Sequence, residues 1–321
     1  MIPLYPLLLR PALHVKVWGG RRLQTLLNKD LPTDEPYGES WEMHDTATVA
    51  TGALSGRSLG DLLKEYGHAL VGADNDPAEG FPLLAKFLDA NDWLSVQVHP
   101  NDEQARELEG EPRGKTEAWY FFATDPGARI VKGMLTGTTR EGMAQAIREN
   151  TLEALLAYGA VNPGDVLVNL AGGIHALGPG IIIYEIQQSS DITYRLYDWG
   201  RMDLNGKPRT LHIEKGVAVS NLDSLPPIVP TADNQLPLVD LVRTPFFNTL
   251  LHQLTPRNGM RISLDTAGRH FHILTSIGGS AVLRAGDYSV TLGMGQTALI
   301  PACIGVYTLE GEARILRSFQ P

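Results

Sequence analysis

Two polar side chains lie close together in a short, mostly apolar stretch at residues 93–99 (WLSVQVH). The alternation of this stretch predicts a strand, and residues i and i+2 of a strand point to the same face. Gln97 and His99 are therefore expected to project together into the interior of a β-structure. Buried polar groups need partners, because leaving them bare costs free energy. A metal ion is one such partner, and ordinary hydrogen bonds within the protein are the alternative.

A carboxylate and a second histidine follow at positions that extend this pair. Glu117 opens the next predicted strand, although in isolation a glutamate there is better explained as a surface residue. His175 follows a glycine turn in the stretch AGGIHALG. One amide, two imidazoles and one carboxylate suit Zn²⁺, while Fe²⁺, Mn²⁺ and Co²⁺ accept the same ligand types. We therefore predict one divalent metal ion per chain, with zinc as the first choice, held by Gln97, His99, Glu117 and His175.

The elements that must position these residues are mostly short strands separated by Gly, Pro and Asp. Strands are predicted at 93–99, 118–123, 166–170, 180–187, 271–277, 280–284, 288–292, 297–300 and 305–309. Helical patterns are few: one at 58–66, one at 101–109, and two within 138–158. Many short strands without alternating long helices are typical of antiparallel barrels. We expect a mainly β fold with two β-barrels of the jelly-roll type and a few short helices.

A proline-rich stretch at 224–237 (SLPPIVPTADNQLP) reads as a linker and divides the chain near residue 230. The predicted N-terminal domain spans 1–230 and carries the metal site, with a small helical insertion near 138–158. The predicted C-terminal barrel spans 231–321. His270 and His272 lie two residues apart in this barrel, but no third ligand is evident, so we expect no metal site there.

Composition narrows the class of protein. The chain has 321 residues, 43% hydrophobic and 20% charged, which is the balance of a folded globular protein. A net charge of −9 disfavours a nucleic-acid partner but allows a small phosphorylated ligand held by a few local cations. The single cysteine, Cys303, excludes an internal disulfide and a thiolate zinc cluster. Prolines interrupt the apolar N-terminal stretch, so we predict no membrane span and a cytoplasmic location.

Longer motifs resemble the type I phosphomannose isomerases, in particular their short bacterial subgroup within the cupin superfamily. They are KFLDANDWLSVQVHP from Lys86, GKTEAW from Gly114, AGGIHALG from Ala171 and YEIQQSSDITYRLYDWGR from Tyr184. They occur in the expected order along nearly the whole chain, together with WGG at Trp18 and GESW at Gly38. Thr116 and Gly173 depart from residues common in the family, but neither is a proposed ligand.

This resemblance implies a zinc-dependent enzyme that interconverts mannose 6-phosphate and fructose 6-phosphate. The reaction is an aldose–ketose isomerisation through an enediol-type intermediate. Arg195 resembles the catalytic arginine of the family, and Asp191 would orient it or take part in proton relay. If residues 191–195 form a strand, the two side chains share one face.

The resemblance also suggests contacts to the sugar phosphate. Lys115 shares a strand face with Glu117 and is a candidate for catalysis and for binding the sugar. Ser95 corresponds to a serine that positions phosphate, with Arg195 as a second contact and Lys86 and Arg201 as further candidates. The general base stays open among a zinc-bound water, Glu117, His99, Asp191 and Lys115.

Two other classes of protein fit parts of the pattern. An Fe²⁺ oxygenase of the same fold would use histidines and a carboxylate, but the glutamine and the motif around Arg195 favour the isomerase. A sugar-sensing protein would bind the ligand without turnover. The sequence leaves the oligomeric state open.

Overall fold

Strands dominate the computed structural model, which describes residues 2–231 and 236–321, so the mainly β prediction is confirmed. The strands of the described residues are β1 Leu7–Arg10, β2 Ala12–Gly20, β3 Tyr37–Met43, β4 Thr48–Val49, β5 Leu83–Ala90, β6 Val96–Val98, β7 Glu117–Thr124, β8 Arg129–Met134, β9 Leu156–Ala160, β10 Asp165–Asn169, β11 Ala176–Leu177, β12 Ile181–Gln188, β13 Tyr194–Tyr197, β14 Val229–Pro230, β15 Leu238–Arg243, β16 Asn248–Leu254, β17 Arg261–Asp265, β18 His272–Ala285, β19 Tyr288–Gly293, β20 Thr297–Ile300 and β21 Val306–Phe319.

The helices are short, as the sequence indicated. They are α1 Arg22–Leu27, α2 Leu59–Tyr66, α3 His68–Val71, α4 Asp102–Glu109, α5 Arg140–Arg148 and α6 Ile213–Val219. Helices α2 and α4 form where they were predicted, and side chains cap the start of both. Ser58 accepts a hydrogen bond from the backbone N–H of Asp61 at the start of α2. Asn101 and Gln104 form a reciprocal capping box at the start of α4, which satisfies two otherwise unpaired backbone N–H groups.

The first half of the fold is organised around a seven-stranded antiparallel sheet in the order β14-β10-β7-β12-β5-β3-β2. Its central strands β5 and β12 are buried on both faces. Because side chains alternate along a strand, Leu88 and Ile183 pack on the inner face, whereas Phe87 and Tyr184 pack on the outer face. The outer face meets the C-terminal sheet, and the inner face encloses the candidate site.

The wall opposite this inner face combines two small sheets, β13-β6 and β11-β8-β9. An isolated β-bridge between Gln97 and His175 joins them. The two residues exchange backbone N–H···O hydrogen bonds of 3.0 Å in both directions. The backbone itself therefore places two of the predicted metal ligands side by side.

The second half is a nine-stranded sheet in the order β15-β16-β21-β18-β20-β1-β4, with β17 beside β21 and β19 beside β18. Strands β1 and β4 come from the N-terminal part of the chain, so the two halves share a sheet. A buried ion pair between Lys29 and Glu42 adds to this connection. Glu42 also accepts a 3.0 Å hydrogen bond from Thr297 of β20.

Two local predictions were wrong. The second helix expected in 138–158 is a 3₁₀ turn at Leu152–Leu155, followed by β9, which pairs with β8. Pairing with a neighbouring strand overrides the weak helical pattern there. The strands expected at 271–277 and 280–284 are one continuous strand, β18, whose register shifts between Ser276 and Gly278. Gly279 adopts a φ of 64°, which lets the strand bend without breaking.

The predicted linker at 224–237 is only partly within the described residues, because 232–235 lie outside them. Within it, β14 pairs with β10 and so belongs to the first sheet. A domain boundary near residue 230 stays a prediction. Among the described residues, no helix has the length and apolar character needed to span a bilayer.

Candidate metal centre and active site

Three of the four predicted ligands converge in the interior of the first half. The ligand atoms of His99, Glu117 and His175 all lie within 4.8 Å of one another, and all three residues are buried. Glu117 Oε1 is 3.1 Å from His175 Nε2, and Oε2 is 3.5 Å from His99 Nε2. The Gln97 amide nitrogen lies 3.3 Å from the same His175 Nε2. Turning that amide by 180° presents its oxygen to the same point, since amide N and O have nearly the same shape.

The hydrogen bonds behind the histidines orient both rings toward this centre. His99 Nδ1 lies 2.8 Å from the carbonyl oxygen of Ile192, and His175 Nδ1 lies 3.0 Å from that of Gly173. A carbonyl oxygen accepts only, so each Nδ1 carries the proton and each Nε2 keeps its lone pair. Metal-binding histidines are commonly held in this way by their second nitrogen.

The loop that delivers His175 depends on a glycine turn. Gly172 has a φ of 87°, a conformation that side-chain-bearing residues rarely adopt. Its N–H donates to the carbonyl oxygen of His99 at 2.8 Å, and the N–H of Asn221 donates to its carbonyl oxygen at 2.8 Å. The turn thus ties the His175 loop directly to the strand end that carries His99.

The protonation states and unmet hydrogen-bonding capacity of the centre suit a divalent cation. Burial and the nearby Lys115 ammonium lower the pKa of His99 to about 3, so its imidazole is neutral. Burial raises the pKa of Glu117, but Lys115 and His175 outweigh it and hold the pKa well below its usual value. His99 Nε2 and both Glu117 oxygens are buried, and their close contacts with one another, with His175 and with Lys115 are not hydrogen bonds by geometry. Two imidazoles and a carboxylate that converge on one point fit Zn²⁺.

A cavity of about 250 Å³ opens beside this centre and collects the other predicted residues. Gln97 lies between the centre and the cavity, because it also lines the cavity wall. The predicted catalytic and substrate-binding residues that line it are Ser95, Lys115, Asp191 and Arg195. The predicted catalytic and substrate-binding residues therefore meet in one place.

Lysine–carboxylate pairs surround the cavity. Lys115 Nζ lies 3.0 Å from Glu117 Oε2, and Lys86 Nζ lies 3.0 Å from Glu185 Oε1. Burial and the charge of Glu117 raise the pKa of Glu185, while Lys86 lowers it and leaves it above its usual value. A carboxyl group with a raised pKa in a cleft is typical of proton-transfer sites.

The sequence analysis missed Glu185, together with Lys16, Glu39 and Arg209 on the cavity wall. For Glu185 a signal was present, since β12 changes from apolar to polar residues along one face. Ile183 and Glu185 point the same way, and Glu185 pairs with Lys86 across the sheet. Arg209 lies outside the regular strands, so no periodicity could have indicated it.

The expected pairing of Asp191 with Arg195 does not occur as an ion pair among the described residues. Both side chains reach the same cavity, as predicted for one face, but Asp191 precedes β13. Arg195 instead donates from Nη1 to the carbonyl oxygen of Thr210 at 3.0 Å. Its Nε is buried without a hydrogen-bond partner.

A larger cavity of about 650 Å³ lies on the other side of the segment from Asp191 to Thr193, which borders both cavities. Its other lining residues include Glu109, Arg113, Tyr194 and Lys215. Its lining includes none of the metal-ligand residues or Lys115. The smaller cavity is therefore the one that can bring a ligand to the metal centre.

Known proteins resemble the chain over nearly its full length. A family model of the type I phosphomannose isomerase catalytic domain matches residues 7–119, and one of the mannose-6-phosphate isomerase cupin domain matches 240–320. A mannose-6-phosphate isomerase of Streptococcus mutans is 36% identical over 98% of both chains. Mannose-6-phosphate isomerase ManA of Bacillus subtilis is 33% identical over 98% of both.

Solved structures agree with this assignment. The crystal structure of the mannose 6-phosphate isomerase from Bacillus subtilis matches with a TM-score of 0.86 and 30% identity, covering 98% of this chain and 99% of that one. A zinc-bound holo form of a mannose 6-phosphate isomerase matches with a TM-score of 0.77 at 19% identity, covering 98% of this chain and 99% of that one, and shows the fold alone. The cupin-type fold is thereby confirmed. The chain belongs to the type I phosphomannose isomerase family, and the prediction of an isomerase of this family is confirmed.

Proposed function

We propose that this protein is a zinc-dependent aldose–ketose isomerase that interconverts mannose 6-phosphate and fructose 6-phosphate, with one zinc ion per chain. The observation that carries the proposal is the convergence of His99, Glu117 and His175 beside a cation-rich cavity. The names of the relatives that match over nearly the whole chain support mannose 6-phosphate as a substrate, and the zinc-bound structure of the same fold supports the metal. Cytoplasmic location stays a prediction.

The reaction needs a polarised carbonyl, a group that moves a proton between C1 and C2, and a grip on the phosphate. Zinc, when bound, would act as a Lewis acid on the sugar oxygens, which contributes several kcal/mol to the stabilisation of developing charge. Gln97, His99, Glu117 and His175 would hold it. Because Gln97 also lines the cavity, the sugar carbonyl end would lie against this residue.

The geometry narrows the choice of general base. His99 has no nitrogen available to the sugar, because Nδ1 is bonded to the Ile192 carbonyl and Nε2 faces Glu117. A zinc-bound water, Glu117, Lys115 and Asp191 stay as candidates, and Glu185, which lines the cavity with Lys115 and Asp191, joins them. Its raised pKa lets it carry a proton nearer to neutral pH than an ordinary glutamate.

Arg195 would stabilise negative charge on the enediol-type intermediate. Its guanidinium lines the cavity, and no carboxylate among the described residues forms an ion pair with it. The positive charge of Arg195 is therefore available to the substrate, because no carboxylate of the described residues pairs with it. Ser95, two residues before Gln97, would contact the phosphate as the family resemblance implies.

A coupled assay tests the proposal directly. Metal-stripped protein and zinc-restored protein are compared with mannose 6-phosphate, glucose 6-phosphate and free mannose as substrates. We expect loss of turnover on stripping, recovery with zinc, and little use of the two comparators. Binding of mannose 6-phosphate without exchange of its C2 proton into solvent would favour the sensor instead. Turnover that survives complete metal removal would contradict the proposal.

A further inference from the structure

The backbone of Arg195 is held by a segment that follows it in the chain. In the pairing of β13 with β6, Arg195 lies opposite Gln97, but the backbone N–H and C=O groups of Gln97 are both bonded to His175. Opposite residues of antiparallel strands alternate between bonded and non-bonded pairs, so the backbone groups of Arg195 point away from β6. They need partners at the other edge of β13.

One residue, His212, supplies both partners. Its backbone N–H donates to the carbonyl oxygen of Arg195 at 2.8 Å, and its ring Nδ1 accepts from the Arg195 N–H at 3.1 Å. Two residues earlier, the carbonyl oxygen of Thr210 accepts from Arg195 Nη1 at 3.0 Å. The segment 210–212 thus contacts Arg195 at three points, two on its backbone and one on its guanidinium.

The segment 210–212 is itself fixed at both ends. Before it, Arg209 forms a two-point ion pair with the buried carboxylate of Asp198, through Nε at 2.7 Å and Nη2 at 2.5 Å. After it, His212 is the N-cap residue of α6, and its carbonyl oxygen accepts from the N–H of Gly216 at 2.8 Å. A segment held in this way can act as a rigid anchor for the residue that it contacts.

The tautomer of His212 follows from its contact with Arg195. A backbone N–H only donates, so Nδ1 carries the lone pair and the proton lies on Nε2. This is the opposite of the two predicted metal-ligand histidines, whose Nδ1 atoms face carbonyl oxygens. Burial and the charges of Arg195 and Lys215 outweigh the charge of Glu109 and lower the pKa of His212, which favours the neutral ring.

The His212 ring does not cap the helix that it precedes. In the described part of the chain, no side-chain cap bond forms at the start of α6. The ring lies 6.1 Å from that of Tyr194, whose hydroxyl donates to Glu109 at 2.7 Å. The directional contact of the imidazole is therefore the one with the Arg195 N–H, and helix capping does not account for the residue.

We propose that His212 is a positioning residue, which accepts from the Arg195 N–H and so sets the direction in which the Arg195 guanidinium enters the cavity. The inference rests on the proposed function. His212 acts through Arg195, since it lines the larger cavity, whereas Arg195 lines the one beside the metal centre. A misplacement of about 1 Å in a group at the reacting atoms can lower the rate about 100-fold.

Two substitutions of His212 separate positioning from packing. Asparagine places an acceptor near the position of Nδ1, whereas glutamine places it one bond further out, near that of Nε2. We expect His212→Gln to lower kcat about 10- to 100-fold, with a much smaller change in KM and an unchanged zinc content. His212→Asn should keep kcat within about threefold of wild type, because the acceptor for the Arg195 N–H is retained.

The exchange of the Arg195 amide hydrogen with solvent measures the contact without any substrate. Mass spectrometry of peptides that contain residue 195 should show protection in wild type and in His212→Asn. In His212→Gln this amide should exchange at least about tenfold faster, because it loses its acceptor. The matched control is Tyr194→Phe, which removes the neighbouring contact to Glu109 and leaves the Arg195 backbone bonded. Its kcat and its amide exchange should stay near wild type.

An unchanged kcat or an unchanged amide exchange in His212→Gln would overturn the inference. Equal losses in His212→Asn and His212→Gln, or an equal loss in Tyr194→Phe, would do the same. If the wild type does not turn over mannose 6-phosphate, the proposed function fails. The amide exchange of the His212 variants then still decides whether His212 anchors Arg195.

Discussion

Buried histidines occur in both halves of the molecule, but their surroundings differ. In the first half, His99 and His175 face the carboxylate of Glu117. In the second half, His252 and His272 are nearly as buried, yet the charge of the Arg317 guanidinium acts on both and lowers the pKa of each. A fixed cation repels a divalent metal, whereas a carboxylate attracts it.

Side chains of the second cluster contact partners other than a shared carboxylate. His272 Nδ1 lies 2.7 Å from the hydroxyl of Tyr307, and Arg317 lies 4.6 Å from the ring of Phe319. His270 precedes β18 and lies 3.9 Å from the surface carboxylate of Asp74. The metal cluster found among the described residues is the one in the first half. The comparison teaches that one carboxylate, rather than the number of histidines, decides which half can hold a metal.

The largest expected effect comes from removing that carboxylate. Glu117→Gln keeps the shape of the side chain but removes the charge between the two imidazoles. We expect zinc affinity to fall more than about 100-fold, which exceeds the loss typical when a residue that contacts a metal ligand, but not the metal, is replaced. Turnover should become undetectable. Zinc content after dialysis and the coupled assay measure both.

The matched change in the second half is His272→Gln, which should leave zinc content and kcat/KM within about twofold of wild type. Loss of zinc from this variant while it stays folded would show that the two halves do not differ as described.

A smaller loss is expected from Lys115→Met, which removes a cation from the cavity but keeps the four ligands. Turnover should fall about 100-fold, the lower range for a residue that takes part in proton transfer. The zinc content should stay near one per chain, which separates a role in catalysis from one in metal binding. Arg317→Met, the corresponding cation in the second half, should keep wild-type activity. Unchanged turnover in Lys115→Met would show that Lys115 takes no part in catalysis.

The contact between the halves can be tested through Glu42. This residue forms a buried ion pair with Lys29 and also accepts a hydrogen bond from Thr297 of β20. Glu42→Gln leaves a buried ammonium without its counter-charge, so we expect a loss of about 3 kcal/mol in the free energy of unfolding. All five tryptophans lie before residue 200, so fluorescence reports on the first half alone. Circular dichroism and fluorescence should show the same urea midpoint if the halves unfold together, and separate midpoints would contradict this coupling.

A further expected effect concerns pH and the buried histidines of the second half. Burial, with a contribution from Arg317, lowers the pKa of His252 to about 4 and of His272 to about 3. In the unfolded chain these groups titrate near 6.5, so the unfolded state binds more protons between about pH 4 and 6.5. Stability should therefore fall as the pH decreases through this window, by about 1.4 kcal/mol per pH unit for each proton. Urea unfolding measured at several pH values should show that the free energy of unfolding of His272→Gln changes less steeply with pH than that of the wild type. An equal pH dependence in the two proteins would contradict the assignment.

The sequence was informative where local patterns coincide with buried faces. Strand alternation placed Gln97 and His99 on one face, and a glycine turn indicated that His175 returns toward them. Arg209 was not predictable, because it depends on an ion pair across eleven residues of irregular chain. The prediction of a second helix in 138–158 was wrong, because Leu156–Ala160 pairs with β8 and no local pattern reveals this partner.

The sheet that the two halves share could not be predicted from the sequence either. The pairing of β1 with β20 joins residues almost three hundred positions apart, and nothing in either strand identifies the other. The repeated pattern of short strands could suggest two β-barrels, but only the register shows that the first strand of the chain joins the C-terminal sheet.

X-ray absorption at the zinc edge of the zinc-loaded wild type tests the central claim most directly. We predict scattering from two imidazole rings with nitrogen or oxygen ligands at about 2.0–2.1 Å, and loss of one ring when either His99 or His175 is replaced by Gln. A zinc–sulfur distance near 2.3 Å, or a spectrum that neither replacement changes, would place the metal elsewhere and contradict the account.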